Sequence, residues 1–236
     1  MMRELPTVYV VEDDASLRRA LERLLDAKGY SVSTFASAEA FLNERLSALI
    51  ACLVLDLQLP GLSGLDLQNA LLRRNILLPI IFISGHGTIP SAIRAVKLGA
   101  VGFLTKPFSQ DQLVVEIDNA LAVSRSETAR RSELASLRQR FERLTKRESE
   151  IFQFVTSGKL NKQTASDLGI VINTVKVHRR RVMKKMQAES LADLVVMAQK
   201  LHLTDQPPPN LQPELAPPVG QISYSACPGN PAVFYR

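Results

Sequence analysis

Five short apolar runs, separated by segments with helical periodicity, are the feature that most constrains the fold of this chain. The runs are residues 7–11, 31–35, 51–55, 79–84 and 101–105. Runs of this length, rich in branched and aromatic side chains, are typical of strands buried on both faces of a parallel sheet. Their alternation with helices predicts an α/β fold with a doubly wound, five-stranded parallel sheet.

Helix signals lie between the runs. Leu17, Leu21 and Leu25 recur at a spacing of four residues, and Gly29 follows where a left-handed residue ends a helix. Ser63 is placed to cap a further helix that extends to about Arg74. These signals predict that each strand is followed by a helix.

Charged and polar residues end several of the predicted strands. Strand 1 is followed by Glu12, Asp13 and Asp14, strand 3 by Asp56, strand 4 ends in Ser84, and strand 5 is followed by Lys106. Because the carboxyl ends of parallel strands meet at one edge of the sheet, we expect these side chains to lie close together.

The residue types at this edge indicate phosphoryl chemistry on a carboxylate. Clustered carboxylates repel one another and favour a hard divalent cation, so Mg²⁺ is the expected cofactor, held among Glu12, Asp13 and Asp56. Asp56 is the candidate nucleophile for an aspartyl phosphate, with Lys106 and Ser84 contacting other phosphoryl oxygens. The glycines of a dinucleotide-binding fingerprint are missing after strand 1, which argues against a Rossmann enzyme.

The positive charge of the chain is concentrated in its second half. The net charge is +6, but residues 1–122 hold 11 basic and 13 acidic residues, whereas residues 144–204 hold 11 basic and 5 acidic residues. This distribution indicates that the second half meets a polyanion, the alternative being a basic surface that is merely solvated.

The second half has the pattern of several short helices. Thr145 with Glu148 forms a capping-box signal, followed by helical segments at residues 162–168 and 173–186. A short helix, a glycine-containing turn and a longer basic helix together are typical of a helix-turn-helix. Leu160 and Val171 stand just before the second and third helices, but their apolar side chains cannot accept hydrogen bonds from the N–H groups at a helix start. We therefore expect Asn161 and Asn173 to cap these helices.

The first half resembles the flavodoxin-like receiver domain of bacterial two-component response regulators. The matching segments are Val-Val-Glu-Asp-Asp at 10–14, Leu-Asp-Leu-Gln-Leu-Pro-Gly-Leu-Ser-Gly at 55–64, Ile-Ser-Gly-His-Gly at 83–87 and Leu-Gly-Ala-Val-Gly-Phe-Leu-Thr-Lys-Pro-Phe at 98–108. The resemblance implies that Asp56 is the phosphoacceptor, and that Asp13, Asp56 and the backbone carbonyl of Gln58 bind Mg²⁺ beside Glu12. It also implies that Ser84 and Phe103 form the switch pair and that the Lys106–Pro107 bond is cis.

Residues 144–200 resemble the all-α, four-helix LuxR-type helix-turn-helix of the NarL/FixJ regulators, with the match closest to the FixJ branch. The matching segments are Leu-Thr-Lys-Arg-Glu at 144–148, Asn-Lys-Gln at 161–163, Leu-Gly-Ile at 168–170, Thr-Val-Lys-Val-His at 174–178, Met-Lys-Lys-Met at 183–186 and Ser-Leu-Ala-Asp-Leu at 190–194. The resemblance implies contacts to DNA bases from Lys176, Val177 and Arg180. It implies contacts to phosphates from Lys162, Thr174, Arg181 and Lys184.

These observations predict four segments. They are a receiver domain at residues 1–122, a helical linker at 123–143, a DNA-binding domain at 144–204 and a proline-rich, disordered tail at 205–236. No apolar stretch approaches the roughly 18 residues of a membrane span, the N-terminus lacks a signal peptide, and two cysteines make no disulfide framework. We therefore expect a cytoplasmic protein without membrane contact.

The resemblance implies a DNA-binding transcription regulator, not an enzyme, that a sensor histidine kinase switches on by phosphorylating Asp56. Dimerisation through the face from Ile89 to Thr105 would then place two basic helices on a palindromic operator, with RNA polymerase as a partner and activation as the outcome. One alternative is a regulator that binds DNA independently of phosphorylation and acts through a protein partner. Another, a phosphohydrolase, needs a second Asp where this chain has Gln58.

Overall fold

The computed structural model describes residues 5–46, 48–85 and 89–201, and it divides the chain into two compact units. The first unit extends to residue 135 and the second begins at residue 136. The side chains of Ile89 and Ser91 and the tail predicted at residues 205–236 lie outside the described part of the structure.

The first unit contains the predicted parallel sheet, with strand order β2-β1-β3-β4-β5. The strands are β1 (Thr7–Val11), β2 (Ser31–Phe35), β3 (Ala51–Asp56), β4 (Ile80–Ser84) and β5 (Gly102–Thr105). The predicted runs differ from these bounds by at most one residue at either end. All four strand pairs are parallel, which confirms the doubly wound α/β fold.

The register of the sheet sets the order of the residues at its carboxyl edge. Val11 lies opposite Leu55 on β3, so the residues that follow, Glu12 and Asp56, are neighbours at the edge. On the other side of β3, Ser84 of β4 lies opposite Thr105 of β5. The sheet therefore presents four of its five strand ends to one site.

Helices cover the sheet on both faces, and each face buries its own apolar core. The helices are α1 (Ala15–Ala27), α2 (Ala38–Leu42), α3 (Gly64–Arg73), α4 (Ile89–Lys97) and α5 (Gln110–Glu142). Phe41, Leu53 and Phe82 belong to one core, and Leu25 and Ile117 belong to the other. The predicted cap at Ser63 and the left-handed Gly29, with φ of +87°, are confirmed.

Helix α5 is much longer than the helices that precede it, with 33 residues. Its middle part is fixed to the amino end of β3, because Ser124 Oγ accepts a hydrogen bond from the Ala51 N–H at 3.1 Å. One turn later, Thr128 Oγ1 donates to the Leu49 carbonyl at 3.0 Å. The first residues of the segment that the sequence marks as a linker thus pack on the first unit.

The second unit is helical. Its helices are α6 (Lys146–Thr156), α7 (Asn161–Asp167), α8 (Ile172–Met186) and α9 (Leu191–Lys200). The capping box of Thr145 and Glu148 is present, and Ser190 with Asp193 forms another at the start of α9. Phe152, Val182 and Leu194 are buried in a common core, which holds α6, α8 and α9 together.

The expectation that Asn161 and Asn173 cap α7 and α8 is wrong. Leu160 and Val171 are the N-cap residues, in extended backbone conformations and without a side-chain hydrogen bond to the helix. Asn161 already lies inside α7 and Asn173 inside α8, so neither amide can act as the cap. The Leu160 N–H instead donates to Gln163 Oε1 at 2.8 Å, which stabilises that helix start from the other direction.

Among the described residues, no helix combines the length and the apolar character that a membrane span requires.

Candidate acidic site and nucleic-acid interface

Glu12, Asp13 and Asp56 form an acidic cluster at the carboxyl edge of the sheet. One carboxylate oxygen from each residue lies within 4.8 Å of the others. Glu12 is 1% exposed and Asp56 5% exposed, whereas Asp13 faces solvent. The arrangement follows from the strand register, which brings the residues after β1 and β3 side by side.

Lys106, which follows β5, extends its ammonium group into the acidic cluster. Its Nζ atom lies 2.7 Å from Asp56 Oδ2 and 2.8 Å from Glu12 Oε2. Burial by itself would lower the pKa of Lys106, but the bonds to Asp56 and Glu12 outweigh it and raise the pKa. Burial and the nearby charge of Asp56 raise the pKa of Glu12, although the Lys106 hydrogen bond opposes the change.

The remaining residues predicted for this site are Gln58, Ser84 and Phe103. The Gln58 N–H donates to Asp56 Oδ1 at 2.9 Å, which places the Gln58 backbone beside the acidic cluster. Ser84 is fully buried at the end of β4, and its carbonyl accepts a hydrogen bond from the Lys106 N–H at 2.7 Å. Phe103 is partly buried, with its ring centre 6.5 Å from that of Phe82. The Lys106–Pro107 bond is cis, as the resemblance implies.

The donor set of the acidic cluster fits Mg²⁺. Carboxylate oxygens are the ligands that this ion prefers, and the three carboxylates lie close enough to share one cation. When ionised, they carry three negative charges against the single positive charge of Lys106. A divalent cation would neutralise the remaining charge, so Glu12, Asp13 and Asp56 are the residues able to hold it.

Asp14 has a different role from its two acidic neighbours. Its carboxylate accepts hydrogen bonds from the backbone N–H groups of Ser16 at 2.7 Å and Leu17 at 3.3 Å, and so caps α1. These two bonds lower the pKa of Asp14. Within the acidic run at residues 12–14, Glu12 and Asp13 therefore belong to the acidic cluster, whereas Asp14 caps a helix. A predicted helix that starts directly after Asp14 is the signal in the sequence that could have shown this difference.

Arg18 is a residue of this site that the sequence reasoning missed. Its Nη1 atom donates to the backbone carbonyls of Glu12 at 2.7 Å and Asp13 at 3.1 Å. A basic residue on the first turns of α1, so soon after two acidic residues, is the signal in the sequence that could have found it.

In the second unit, α8 presents a basic face opposite its buried face. Val175, Val182 and Met186 are buried, as predicted from their spacing. The exposed residues on the other side of the helix are Lys176, Val177, Arg180, Arg181 and Lys184. With Asn173, the first four of these line a shallow depression, and Lys162 and Thr174 are exposed near the starts of α7 and α8. Such a face suits contact with phosphates and base edges.

Two other cations of α8 have structural partners. Arg179 donates to Asn161 Oδ1 at 3.1 Å, which ties α8 to α7. Lys185 Nζ lies 2.6 Å from Glu148 Oε2 of α6, and the Glu148 side chain is only 3% exposed. Burial opposes ionisation of Glu148, but hydrogen bonds from Lys185 and Thr145 outweigh it and lower the Glu148 pKa. The sequence alone did not separate these cations from those on the exposed face.

Comparison with known proteins finds a family match within each of the two units. The chain matches the response regulator receiver domain over residues 8–118 and the luxR family of bacterial regulatory proteins over residues 142–198. Nodulation protein W of Bradyrhizobium diazoefficiens is 46% identical over 197 residues, which cover 84% of this chain and 87% of that protein.

Two further comparisons extend over most of the chain. The transcriptional regulatory protein FixJ of the same organism is 38% identical over 195 residues, 82% of this chain and 94% of FixJ. A solved structure of the response regulator StyR has a TM-score of 0.75 at 43% identity, covering 84% of this chain and 100% of that chain. The chain therefore belongs to the NarL/FixJ family of response regulators, transcription regulators that join a receiver domain to a LuxR-type DNA-binding domain.

Proposed function

We propose that Asp56 is the phosphoacceptor of this regulator and that its phosphorylation by a sensor histidine kinase switches on DNA binding. The observation that carries the proposal is the position of Asp56, buried beside Glu12 and Asp13 and bound by Lys106 at 2.7 Å. A buried carboxylate that is bound by a cation and lies beside further acidic residues suits formation of an acyl phosphate.

In the proposed reaction, an Asp56 carboxylate oxygen forms a bond to the phosphorus atom of a phosphohistidine. The phosphorus–nitrogen bond breaks at the same time, and the histidine nitrogen leaves with the electron pair. Lys106 and Ser84 are placed to neutralise or hydrogen-bond phosphoryl oxygens as charge moves onto Asp56. Glu12, Asp13, Asp56 and the Gln58 carbonyl would hold Mg²⁺, which would supply positive charge beside a phosphoryl oxygen.

Phosphorylation then remodels the face that runs from Ile89 to Thr105. Ser84 moves towards the phosphoryl group, and Phe103 turns inward from its partly buried position beside Phe82. This face carries exposed apolar side chains, including Ile93 (50% exposed) and Val96 (58% exposed) on α4. Because exposed apolar side chains favour association, we propose that two phosphorylated copies pair through it.

The dimer places two copies of α8 on a palindromic operator, with half-sites about one duplex turn apart. Lys176, Val177 and Arg180 contact base edges, and the phosphate contacts come from Lys162, Thr174, Arg181 and Lys184. We further propose that the bound dimer recruits RNA polymerase and activates transcription in the cytoplasm.

The proposed domains have the bounds that we predict from the sequence. Residues 1–122 receive the phosphoryl group, residues 123–143 link the two functions and residues 144–204 bind DNA. The match to the receiver family ends at residue 118 and the match to the luxR family begins at residue 142, which supports a linker between them.

The test compares wild-type protein with Asp56→Asn and with Asp26→Asn, a matched change at an exposed position at the end of α1. Each protein is treated with acetyl phosphate and Mg²⁺, and its mass in solution and its affinity for an operator enriched from random DNA are measured. We expect wild type and Asp26→Asn to dimerise and bind more tightly, while Asp56→Asn stays monomeric. Equal dimerisation and operator binding by Asp56→Asn would contradict the proposal and favour the phosphorylation-independent alternative.

A further inference from the structure

Arg18 holds the backbone of the two residues that begin the acidic cluster. Its Nη1 atom lies 2.7 Å from the Glu12 carbonyl oxygen and 3.1 Å from the Asp13 carbonyl oxygen. The same guanidinium nitrogen thus joins consecutive carbonyls across the turn between β1 and α1. Hydrogen bonds from a charged donor of this kind are stronger than those between neutral groups.

Apart from those of Arg18, the described hydrogen bonds of this turn hold Glu12 and Asp14, on either side of Asp13, and they include a bond from the Glu12 N–H to the Phe35 carbonyl at 3.1 Å. The Asp14 carboxylate caps α1, and Glu12 is held through its side chain by Lys106 at 2.8 Å and by the Asp14 N–H at 3.4 Å. Asp13 is exposed, and the structure describes a bond to its carbonyl from Arg18. Arg18 is therefore the residue best placed to fix the Asp13 backbone relative to Glu12.

We infer that Arg18 is a positioning residue for the metal site, which it serves through the backbone of Glu12 and Asp13. The inference rests on the proposed Mg²⁺ site at the acidic cluster. Three neighbouring carboxylates repel one another, so without a restraint the turn would relax and separate them. Mg²⁺ demands close to ideal octahedral geometry at short distances, whereas Ca²⁺ accepts flexible geometry at longer ones.

The charge of Arg18 acts in the opposite direction from its positioning role, and this separates the two effects. A guanidinium near a cation site repels the cation, so loss of its charge alone should tighten Mg²⁺ binding. Loss of the two carbonyl contacts should weaken Mg²⁺ binding, because ligands held by outer hydrogen bonds lose affinity when those bonds are removed. The sign of the change therefore distinguishes positioning from simple electrostatics.

Arg19 provides a matched control on the same helix. It carries the same charge, is exposed, and its Nε atom donates to the Ala15 carbonyl within α1 at 3.0 Å. Arg19→Met removes a neighbouring charge without touching residues 12 and 13. Arg18→Lys keeps the charge of position 18 but replaces the guanidinium with a single ammonium group.

The experiment measures Mg²⁺ and Ca²⁺ affinities of the full chain by calorimetry, and melting temperatures in EDTA, for wild type and the three variants. We expect Arg18→Met to bind Mg²⁺ about tenfold more weakly, with a smaller loss for Ca²⁺. Arg19→Met should bind Mg²⁺ as wild type does or slightly more tightly. Arg18→Lys should lie between wild type and Arg18→Met.

Equal or tighter Mg²⁺ binding by Arg18→Met would overturn the inference, and so would equal losses for Mg²⁺ and Ca²⁺. If Arg18→Met has too low a melting temperature in EDTA for its Mg²⁺ affinity to be measured, Arg18→Lys provides the test. An Mg²⁺ affinity of Arg18→Lys equal to that of wild type would then overturn the inference. Wild-type protein that binds no Mg²⁺ would instead contradict the metal site of the proposed function itself. The two failures are thus distinguishable.

Discussion

The ammonium group of Lys106 lies 2.7 Å from Oδ2 of Asp56, so the proposed phosphoacceptor is already paired with a cation before it reacts. The same group also contacts Glu12 at 2.8 Å. Lys106 therefore offsets part of the repulsion between two buried carboxylates. Its side chain is 23% exposed, so Lys106 is not sealed from solvent.

Replacement of Lys106 by Met should destabilise the metal-free protein. The change leaves the carboxyl groups of Glu12 and Asp56 facing each other without the cation, and we expect a loss of about 2 kcal/mol in the free energy of unfolding. Saturating Mg²⁺ should restore much of this loss, because the bound ion neutralises the same carboxylates. Urea unfolding in EDTA and in Mg²⁺ measures both effects.

Lys28→Met is the control for Lys106→Met, because Lys28 is exposed and lies outside the acidic cluster at the end of α1. We expect its stability to match wild type in both buffers. If Lys106→Met were equally destabilised with and without Mg²⁺, the ammonium would act only as a packing group, and the charge argument would be wrong.

Glu148 and Lys185 make a comparable pair in the second unit, and their contact predicts a pH dependence. Because the Glu148 pKa is lowered from the ordinary value of 4.5, the pair stabilises the folded state above pH 4.5. This stabilisation is lost as the pH falls through the folded-state pKa. Glu148→Gln should therefore cost about 2 kcal/mol at pH 7, and the cost should shrink below pH 4.5.

Hydrogen exchange at the α6 amides of Ile151 and Phe152 measures this prediction within the second unit of the full chain. The matched control is Glu150→Gln, whose carboxylate pairs with Arg147 at a more exposed position. There we expect at most about 0.5 kcal/mol. A Glu148→Gln cost that stayed constant from pH 7 to pH 3.5 would show that the ion pair does not carry it.

The strands and the acidic cluster were predictable from the sequence for a common physical reason. A parallel sheet buries whole strands, so its strands appear as unbroken apolar runs, and the first polar residue after a run marks a strand end. Asp56 and Lys106 are therefore visible as site residues although they are 50 positions apart. Helix α2 (Ala38–Leu42) is short and has no comparable periodicity, so its bounds were not predicted.

Contacts that depend on the direction of a side chain were not predictable. The sequence places Arg18, Arg179 and Lys185 on helices, but it does not show which acceptor each side chain binds. In the structure, Arg18 binds a backbone carbonyl, Arg179 an amide oxygen and Lys185 a carboxylate, each in another segment. Such contacts depend on how the helices pack, which a single sequence does not specify. The predicted caps of α7 and α8 failed for a related reason, since each helix begins before a polar side chain is available. The N-cap of α7 lies one residue before Asn161, and the N-cap of α8 lies two residues before Asn173.

The absence of side-chain caps at Leu160 and Val171 predicts that Ser at either position stabilises the second unit. Both side chains are exposed, 69% and 70% respectively, so little buried area is lost on replacement. A serine hydroxyl can accept a hydrogen bond from the helix start, a gain of about 1 kcal/mol at each position. Thermal unfolding of Leu160→Ser and Val171→Ser measures the gain.

Leu160→Ala and Val171→Ala are the controls for the serine variants, because alanine removes the same apolar surface without offering an acceptor. We expect no stabilisation from either. Alanine variants as stable as the serine variants would show that exposed apolar surface, and not the missing cap, sets the stability at these positions.

Lys184 provides the sharpest test of the basic face of α8. It is exposed near the end of the helix, where we propose that it contacts a phosphate. Each phosphate contact releases about one condensed cation, so Lys184→Ala should reduce the slope of log affinity against log salt concentration by about 1 per protomer. Affinity should fall on specific and non-specific duplexes alike, because a phosphate contact carries no sequence information.

Fluorescence anisotropy between 50 and 200 mM salt, on the selected operator and on unrelated DNA, measures both quantities for the Lys184 variant. Lys28→Ala removes one positive charge from the first unit and should leave the slope unchanged, which separates a local contact from a change in net charge. If Lys184→Ala kept the wild-type slope but lost discrimination between the two duplexes, Lys184 would contact a base edge. The proposed phosphate contact of Lys184 would then have to be exchanged with one of the base contacts that we assign to other residues of α8.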